Sequence, residues 1–359
     1  MLSIKPNPDF NRLKKAVLRQ GEPDRVPFIE LFADLEIVEA VLGETIPIPQ
    51  PGDTAAELNW LKKNVQFRSI TGFDYVHLTP AYTMEFARVH TQNTVETAKS
   101  DRYFVDESQG IISNWQDFET YPWPRPESVD YSCFEKIQTL LPEGMGIIGQ
   151  TAGILEYAMW LTGYTKFSYL LYDDEPLVQA LFNKIGNFFV NLYQTMVEMN
   201  NVGMFFIGDD MGHKHGTMIS PEMLRKYVFP WHKKLIDICH SKGKPILLHA
   251  CGNLDEVMDD LINIGFDGKH SFEDTIMPVT EAKKKYGDRI SILGGVDVDF
   301  LCQANEIQIR EYVRNVIRSC APGGGYAFGT GNSVANYIPV QNYLIMLDEG
   351  WKSGIHPIK

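Results

Sequence analysis

The sequence has few cysteines, no surplus of basic residues and no long apolar run, and each absence excludes a class of protein. Five cysteines among 359 residues are too few, and odd in number, for a disulfide framework. The formal net charge of −13 leaves no basic excess to neutralise phosphates, so a nucleic-acid binder is not expected. No run reaches the length of a membrane span, and the N-terminus lacks the pattern of a signal or transit peptide. We therefore expect a cytoplasmic protein with free thiols and no nucleic-acid or membrane partner.

The chain instead alternates short apolar runs with longer amphipathic patterns. Strand-like runs lie at residues 26–32, 74–78, 146–150, 204–210, 245–251, 267–272, 290–296 and 325–331. Helical patterns follow the later runs, at residues 220–243, 254–265 and 305–324. Eight strands alternating with helices predict an α/β fold, specifically a (β/α)8 TIM barrel. We expect one domain over residues 1–359, with a β-rich insertion in the N-terminal half at about 80–120.

The stretch LLHACGN places a histidine and a cysteine two residues apart at the end of one strand-like run. Side chains at i and i+2 of a strand point to the same face, so we expect His249 and Cys251 side by side. In a TIM barrel the carboxyl ends of the strands carry the chemistry. Because imidazole and thiolate are preferred zinc ligands, we predict His249 and Cys251 as metal ligands.

Other polar residues gather at the same predicted strand ends. We predict catalytic roles for Asp210, Glu273 and Asp209, and substrate contacts for Asn332, Glu30, Gln150 and His77. Several of them also have a structural interpretation. Asp209 and Asp210 equally suit a turn cap at the start of their loop. A lone strand-end histidine, such as His77 or His270, is more often a hydrogen-bonded structural residue.

Three further motifs favour structural interpretations. His213 and His215 flank a lysine in a glycine-bounded loop, a context more typical of solvated side chains than of a metal pair. Asp297 and Asp299 are expected to cap the helix that follows them. The glycines of PGGGYAFGTGN lack the spacing of a P-loop or a dinucleotide fingerprint.

Three segments carry a resemblance to a known family: GEPDRVPFIELF, ISPEMLRKYVFPWHKKLIDICHSKGKPILLHACGN and GGGYAFGTGNSVANYIPVQN. Over nearly its whole length the chain resembles the uroporphyrinogen decarboxylase superfamily. It is most similar to the corrinoid-dependent methyltransferase branch, such as the methylcobamide:coenzyme M methyltransferases. The resemblance implies a (β/α)8 barrel, in agreement with the eight strand-like runs.

The resemblance to the methyltransferase branch also implies a zinc ion. In that branch a His-x-Cys pair and a later cysteine hold the metal, and His249 and Cys251 match the pair. Aligning PVQN with the closing motif of the family places the third ligand at Asn332, whose amide is a poorer zinc ligand than a thiolate. Carboxylates from other strand ends could complete the shell, and the candidates are Asp209, Asp210, Glu273 and Glu30.

The decarboxylase branch fits the sequence less well. Its third-ligand position carries a histidine, which is again Asn332 here. Its entry loop carries arginines that grip the carboxylates of a tetrapyrrole, whereas VPFIELFADLE is apolar and acidic. Its catalytic aspartate would fall in or just after DYVHLTPAY, where Asp74 begins the strand and nothing acidic ends it.

Three functions remain as hypotheses. The first is zinc-assisted methyl transfer from the cobalt of a separate corrinoid protein, or another methyl donor, to a thiol or similar acceptor. The chain has no recognisable corrinoid-binding domain, so this function needs a partner, and a homodimer is also compatible with the fold. The second is a metal-free decarboxylase or lyase acting on a carboxylic acid, with Asp209, Asp210 or Glu273 as general acid. The third is a binding module that has lost its chemistry.

Overall fold

The computed structural model of the chain describes residues 3–50, 52–91, 102–105 and 109–358. Its strands are β1 (Tyr75–Leu78), β2 (Arg88–Thr91), β3 (Arg102–Val105), β4 (Gly146–Ala152), β5 (Val202–Gly208), β6 (Gly212–His213), β7 (Gly216–Thr217), β8 (Ile246–His249), β9 (Gly268–His270), β10 (Ser291–Leu293) and β11 (Tyr326–Ala327). Seven of them form one parallel sheet in the order β1-β4-β5-β8-β9-β10-β11. Each of these seven lies within or overlaps a run predicted from the sequence.

The first predicted strand, residues 26–32, joins this sheet by bridges and not as a regular strand. Phe28 pairs in parallel with Phe328 just beyond β11, where the Ile29 N–H donates to the Phe328 carbonyl at 2.8 Å. The Phe328 N–H in turn donates to the carbonyl of Pro27 at 2.8 Å. Pro27 has no N–H with which to continue a ladder, which accounts for the short pairing. The segment nevertheless extends the sheet in the position expected of a first barrel strand.

Helices connect successive strands of the sheet and cover its outer side. They are α1 (Phe10–Val17), α2 (Leu35–Leu42), α3 (Thr54–Ile70), α4 (Trp115–Thr120), α5 (Ser132–Lys136), α6 (Ile154–Thr162), α7 (Tyr164–Asp173), α8 (Glu175–Val197), α9 (Pro221–Met223), α10 (Phe229–Ser241), α11 (Met258–Ile264), α12 (Val279–Tyr286), α13 (Val298–Gln303), α14 (Glu306–Cys320) and α15 (Val340–Ser353). Single 3-10 turns lie at Pro126–Ser128, Ile137–Thr139 and Asp255–Val257, and a π-helical turn lies at Leu224–Val228.

The ends of the predicted helices follow local capping chemistry. The Ser220 hydroxyl accepts from the Met223 N–H at the start of α9, and the π-helical turn then leads into α10. Asn305 and Gln308 form a capping box at the start of α14. The predicted cap at Asp297 is confirmed, since its carboxylate accepts from the Phe300 N–H at 2.9 Å.

Between β1 and β4 the described residues contain one antiparallel pair, β2 with β3, which matches the expected β-rich character of this segment. Residues 92–101 and 106–108, on which part of the predicted insertion falls, lie outside the described residues. The single-domain boundary at 1–359 stays a prediction. Within the described part of the chain, no helix is both long and apolar enough to cross a membrane.

A buried carboxylate ties both ends of the chain to the start of β1. Asp74, which is fully buried, accepts from Arg12 of α1 at 2.6 Å and from Arg25 at 3.0 Å. The Arg25 guanidinium in turn lies 4.2 Å from the ring centroid of Trp351 on α15. Because both arginines are buried, Asp74 compensates two cations in a region of low dielectric, and Arg12 also pairs with the exposed Asp24.

We expect Asp74→Asn to lower the free energy of unfolding by about 3 kcal/mol, because it leaves two buried guanidinium groups without a carboxylate between them. Urea denaturation followed by circular dichroism measures the change. Asp24→Asn is the matched control, since Asp24 pairs with the same Arg12 but its side chain is 65% exposed. The control should cost less than about 1 kcal/mol, and equal losses in the two variants would contradict this account.

Candidate functional site

Three potential metal ligands converge at the carboxyl ends of β5 and β8. Asp210, His249 and Cys251 each offer a ligand atom, and these atoms all lie within 4.8 Å of one another. The His249 Nε2 atom is 3.4 Å from the Cys251 Sγ and 3.6 Å from an Asp210 carboxylate oxygen. The Cys251 N–H donates to that same oxygen at 2.7 Å, which holds the Asp210 side chain over the strand end. The two predicted ligands therefore lie together, and Asp210 joins them.

A chain of hydrogen bonds fixes which nitrogen of His249 faces this cluster. The backbone carbonyl of Thr330 can only accept, so the His270 Nε2 atom, 3.1 Å away, donates to it. In a neutral imidazole the Nδ1 atom of His270 then accepts, and its partner is the Nδ1 atom of His249 at 2.8 Å. His249 therefore carries its proton on Nδ1 and presents a lone pair from Nε2 to Asp210 and Cys251. A metal-binding histidine is commonly oriented in this way by a second residue.

Burial makes this cluster unfavourable for charged groups that lack a partner. It lowers the pKa of His249 to about 3, so the ring is neutral. Burial also raises the pKa of Asp210, and it raises the pKa of the Cys251 thiol to about 12. The lone pairs of the His249 Nε2 and of the Asp210 oxygen thus face each other with the thiol beside them. A divalent cation would satisfy all three groups, so the donor set fits zinc.

Two residues that sequence reasoning missed act on the thiol, Ser271 by a hydrogen bond and Lys269 by its charge. Ser271 follows β9 with φ of +84°, a left-handed conformation that is uncommon outside glycine, and its hydroxyl donates to the Cys251 Sγ at 3.6 Å. The Lys269 ammonium donates to the carbonyl of Ser271 and is buried, which lowers its pKa to about 8. A lysine inside the strand-like run DGKHSF was the available signal, because an interior lysine on a parallel strand is rarely structural.

Asn332, the residue at the third-ligand position, also contacts the thiol. Its Nδ2 atom donates to the Cys251 Sγ at 3.4 Å, while its Oδ1 atom accepts from the Ser333 N–H at 2.7 Å. The amide nitrogen and not the oxygen therefore faces the cluster, so Asn332 is a hydrogen-bond donor to the sulfur in this arrangement. Asn332 and Glu273 line the same open cleft of about 600 Å³. The predicted substrate contact and one predicted acid–base residue thus border a space beside the thiol.

Asp209 points away from the cluster. It is fully buried, and its carboxylate accepts from three N–H groups at the start of α6 (Ile154, Leu155 and Glu156) and pairs with the His232 Nε2 at 2.7 Å. Gly153 permits this approach, since a Cβ there would lie 2.1 Å from Asp209. These contacts cap the start of α6, which is a structural role different from the turn cap of its own loop that the sequence suggested. A catalytic role for Asp209 stays a prediction.

The other predicted substrate contacts lie on a different wall of the barrel. Glu30 is 1% exposed, its carboxylate accepts from the N–H and hydroxyl of Thr330, and burial raises its pKa to about 8. Gln150 and His77 line a separate cavity of about 100 Å³. The predicted substrate contacts and Glu273 therefore fall in two places: Glu273 and Asn332 line the open cleft, and Gln150 and His77 line this smaller cavity.

The parallel strand order and the cluster at the strand ends define a barrel protein with a candidate metal centre. The chain belongs to the uroporphyrinogen decarboxylase family, since the family model described as Uroporphyrinogen decarboxylase (URO-D) matches residues 108–350. A uroporphyrinogen decarboxylase from Anaeromyxobacter dehalogenans is 20% identical over 225 residues, which are 60% of this chain and 62% of that protein. The methylcobamide:CoM methyltransferase MtaA of Methanosarcina barkeri is 25% identical over 125 residues, 35% of each chain.

One solved structure covers almost the whole chain. It is described as a methyltransferase from Methanosarcina mazei, is 16% identical, has a TM-score of 0.69 and covers 96% of this chain and 99% of that chain. Together with the strand order it confirms the predicted (β/α)8 barrel, and the predicted family resemblance is confirmed as well. The matched region spans less than two thirds of the first two curated relatives, 62% and 35% of their lengths. The family is one of enzymes and includes both decarboxylases and methyltransferases.

The two neighbouring aspartates offer a direct test of their different settings. We expect Asp209→Asn to lower the free energy of unfolding by about 3 kcal/mol. The carboxylate now accepts hydrogen bonds from backbone N–H groups, and the NH2 group of the amide would face one or more of these donors. Asp210→Asn, at a carboxylate that accepts from one backbone N–H and otherwise faces the His249 and Cys251 side chains, should cost about 1 kcal/mol. Chemical denaturation of both variants measures the difference. The reverse order of losses would mean that Asp209 is not the cap of α6.

Proposed function

We propose that the protein is a zinc-dependent methyltransferase that passes a methyl group from a corrinoid on a separate protein to a thiol acceptor. The observation that carries the proposal is the convergence of the Asp210, His249 and Cys251 ligand atoms, with the Nε2 lone pair of His249 turned toward the other two. The methylcobamide:CoM methyltransferases among the relatives support the donor and acceptor classes. None of the other predicted functions uses a soft ligand pair in this way.

In this proposal Asp210, His249 and Cys251 hold the zinc, and His270 keeps the His249 ring in the required tautomer. Bound zinc lowers the pKa of a coordinated acceptor thiol, so that the sulfur is available as a thiolate at neutral pH. Lys269 is a buried cation beside the Cys251 sulfur and offsets part of the negative charge that gathers there.

The cleft lined by Glu273 and Asn332 is the proposed entrance for the acceptor. Glu273 takes up the proton that the thiol loses, and the Asn332 amide donates to sulfur. The thiolate forms the new S–CH3 bond while the cobalt–carbon bond breaks and its electron pair stays on cobalt. A corrinoid protein must therefore approach the carboxyl ends of the strands.

We expect zinc close to one per chain in protein purified without a histidine tag, and about a tenfold or greater loss in His249→Ala and in Cys251→Ala. Plasma mass spectrometry measures the metal content. Cys133→Ser is the matched control, because Cys133 lies on α5 away from the cluster and should leave zinc unchanged. The same preparations are then assayed with methylcobalamin and a panel of thiols, and activity should fall with the zinc content.

Protein that is folded, free of metal and indifferent to added zinc would contradict the proposal. The metal-free lyase would then be the favoured hypothesis, with Glu273 in the lining of the open cleft as its general acid.

A cysteine in place of Asn332 should raise the zinc affinity by about tenfold, or about 1.4 kcal/mol, because a thiolate would replace an amide donor 3.4 Å from the Cys251 sulfur. Competition with a chromophoric zinc chelator measures the affinity. Asn332→Ser is the control, since it shortens the side chain without supplying a thiol. If Asn332→Cys and Asn332→Ser bind zinc equally, position 332 does not reach the metal.

A further inference from the structure

A buried arginine in the barrel forms no ion pair with any of the described residues. Arg68 lies in the last turn of α3 and is 7% exposed, with its guanidinium 4.7 Å from the ring centroid of Phe73 and 5.3 Å from that of Tyr75. In the described part of the chain no carboxylate lies within ion-pair distance of it. Its NH2 group contacts the His77 Nδ1 at 3.2 Å, and its NH1 group is buried without a hydrogen-bond partner. An uncompensated buried cation is costly, which makes this arrangement unusual for a purely structural residue.

The histidine next to it has an unused donor. A guanidinium only donates, so the Nδ1 atom of His77 accepts from Arg68 and the ring proton lies on Nε2. Burial, then the charge of Arg68 and then His270, lower the pKa of His77, so the ring stays neutral. The His77 Nε2 atom is buried and has no hydrogen-bond partner. Two N–H donors, one from Arg68 and one from His77, therefore lack an acceptor.

Both residues line the same cavity of about 100 Å³, which we call the Arg68–His77 pocket. Its remaining lining residues are apolar or carry amides, and none is acidic: Phe32, Ala33, Val38, Asn64, Phe67, Val76 and Gln150. The charge of Arg68 acts on Glu30 and lowers its pKa, but burial has the larger effect and raises that pKa to about 8, and the carboxylate accepts from Thr330. Among the described residues no carboxylate pairs directly with Arg68, so its guanidinium is available to a ligand.

We propose that the Arg68–His77 pocket binds the carboxylate of a small organic acid. One carboxylate oxygen accepts from Arg68 NH1 and the other from His77 Nε2, and the apolar walls cover a short carbon chain. Two free donors match the two oxygens of a carboxylate. A phosphate has more acceptor oxygens than this pocket can satisfy.

The pocket is distinct from the candidate metal centre. The ring of Phe206 contacts a histidine of each, with its centroid 5.8 Å from that of His77 and 5.8 Å from that of His270. None of the residues that line the pocket is a proposed metal ligand. Carboxylate binding therefore depends on no metal, and the inference goes beyond the proposed methyl transfer.

The test is calorimetric titration of metal-free protein with acetate, propionate and butyrate, at constant ionic strength. Propionamide, which has the same shape without the charge, and inorganic phosphate are the comparison ligands. We expect saturable binding of one or more carboxylates, at least about tenfold weaker binding of the amide, and no saturation with phosphate. Absence of carboxylate binding, or equal binding of amide and acid, would overturn the proposal.

Variants assign the binding to these donors. Arg68→Met keeps the length of the side chain and removes a buried charge, so the protein should fold at least as stably while carboxylate affinity falls about tenfold or more. His77→Phe should also weaken binding. Arg225→Met, at an arginine that is 45% exposed and pairs with Asp260, is the control and should bind like the unaltered protein. Unchanged binding in folded Arg68→Met and His77→Phe would overturn the proposal.

A further variant separates this inference from the proposed function. His249→Ala removes a proposed zinc ligand and should still bind the carboxylate, since His249 does not line the Arg68–His77 pocket. Loss of zinc with carboxylate binding retained supports the pocket as an independent site. Loss of carboxylate binding in His249→Ala would show that the two sites are one.

Discussion

The hydrogen bond from His270 to the Thr330 carbonyl is the interaction on which the candidate metal centre depends. A carbonyl accepts and cannot donate, so this one contact sets the tautomer of His270, and His270 sets that of His249. The Thr330 carbonyl thereby determines, through the rings of His270 and His249, that the lone pair of the His249 Nε2 atom faces the metal cluster. Thr330 is also the residue whose N–H donates to the Glu30 carboxylate and whose hydroxyl oxygen lies within hydrogen-bond distance of both Glu30 and the Asn332 carbonyl. One threonine after β11 thus connects the first segment of the barrel, the metal cluster and the cleft.

Buried cations of the barrel occur in two electrostatic settings. At the amino-terminal end of β1, Asp74 compensates Arg12 and Arg25 and joins the chain ends. Lys269 and Arg68 are also buried, but neither forms an ion pair with a carboxylate among the described residues; Lys269 interacts at longer range with Cys251 and Asp210, and Arg68 lines the Arg68–His77 pocket. Buried cations of this barrel therefore occur both with and without a directly paired carboxylate.

Patterns of period two and of helical spacing were sufficient to predict the parallel strands. The closeness of His249 and Cys251 was also predicted, although β8 ends at His249 and Cys251 lies two residues beyond it. The bridge-like pairing of residues 26–32 was not predictable, because it depends on the missing N–H of Pro27 meeting Phe328. The orientation of the Asn332 amide depends on the Ser333 N–H. The unpartnered NH1 group of Arg68 depends on which side chains pack around it in the folded chain. Such features arise from tertiary contacts, and a single sequence carries no local signal for them.

The π-helical turn at Leu224–Val228 sets the rotational phase of α10, because it adds one residue to a turn of the helix. His232 lies four residues past this turn and meets Asp209, while Trp231 packs where a Cβ on Gly186 would lie 2.2 Å from its ring. Removal of one residue from the turn would rotate the rest of the helix by about 100°. The histidine would then face a neighbouring helix or solvent, and Asp209 would lose its only side-chain partner among the described residues. A change in length at this position therefore acts on the start of α6 through the angular register of α10.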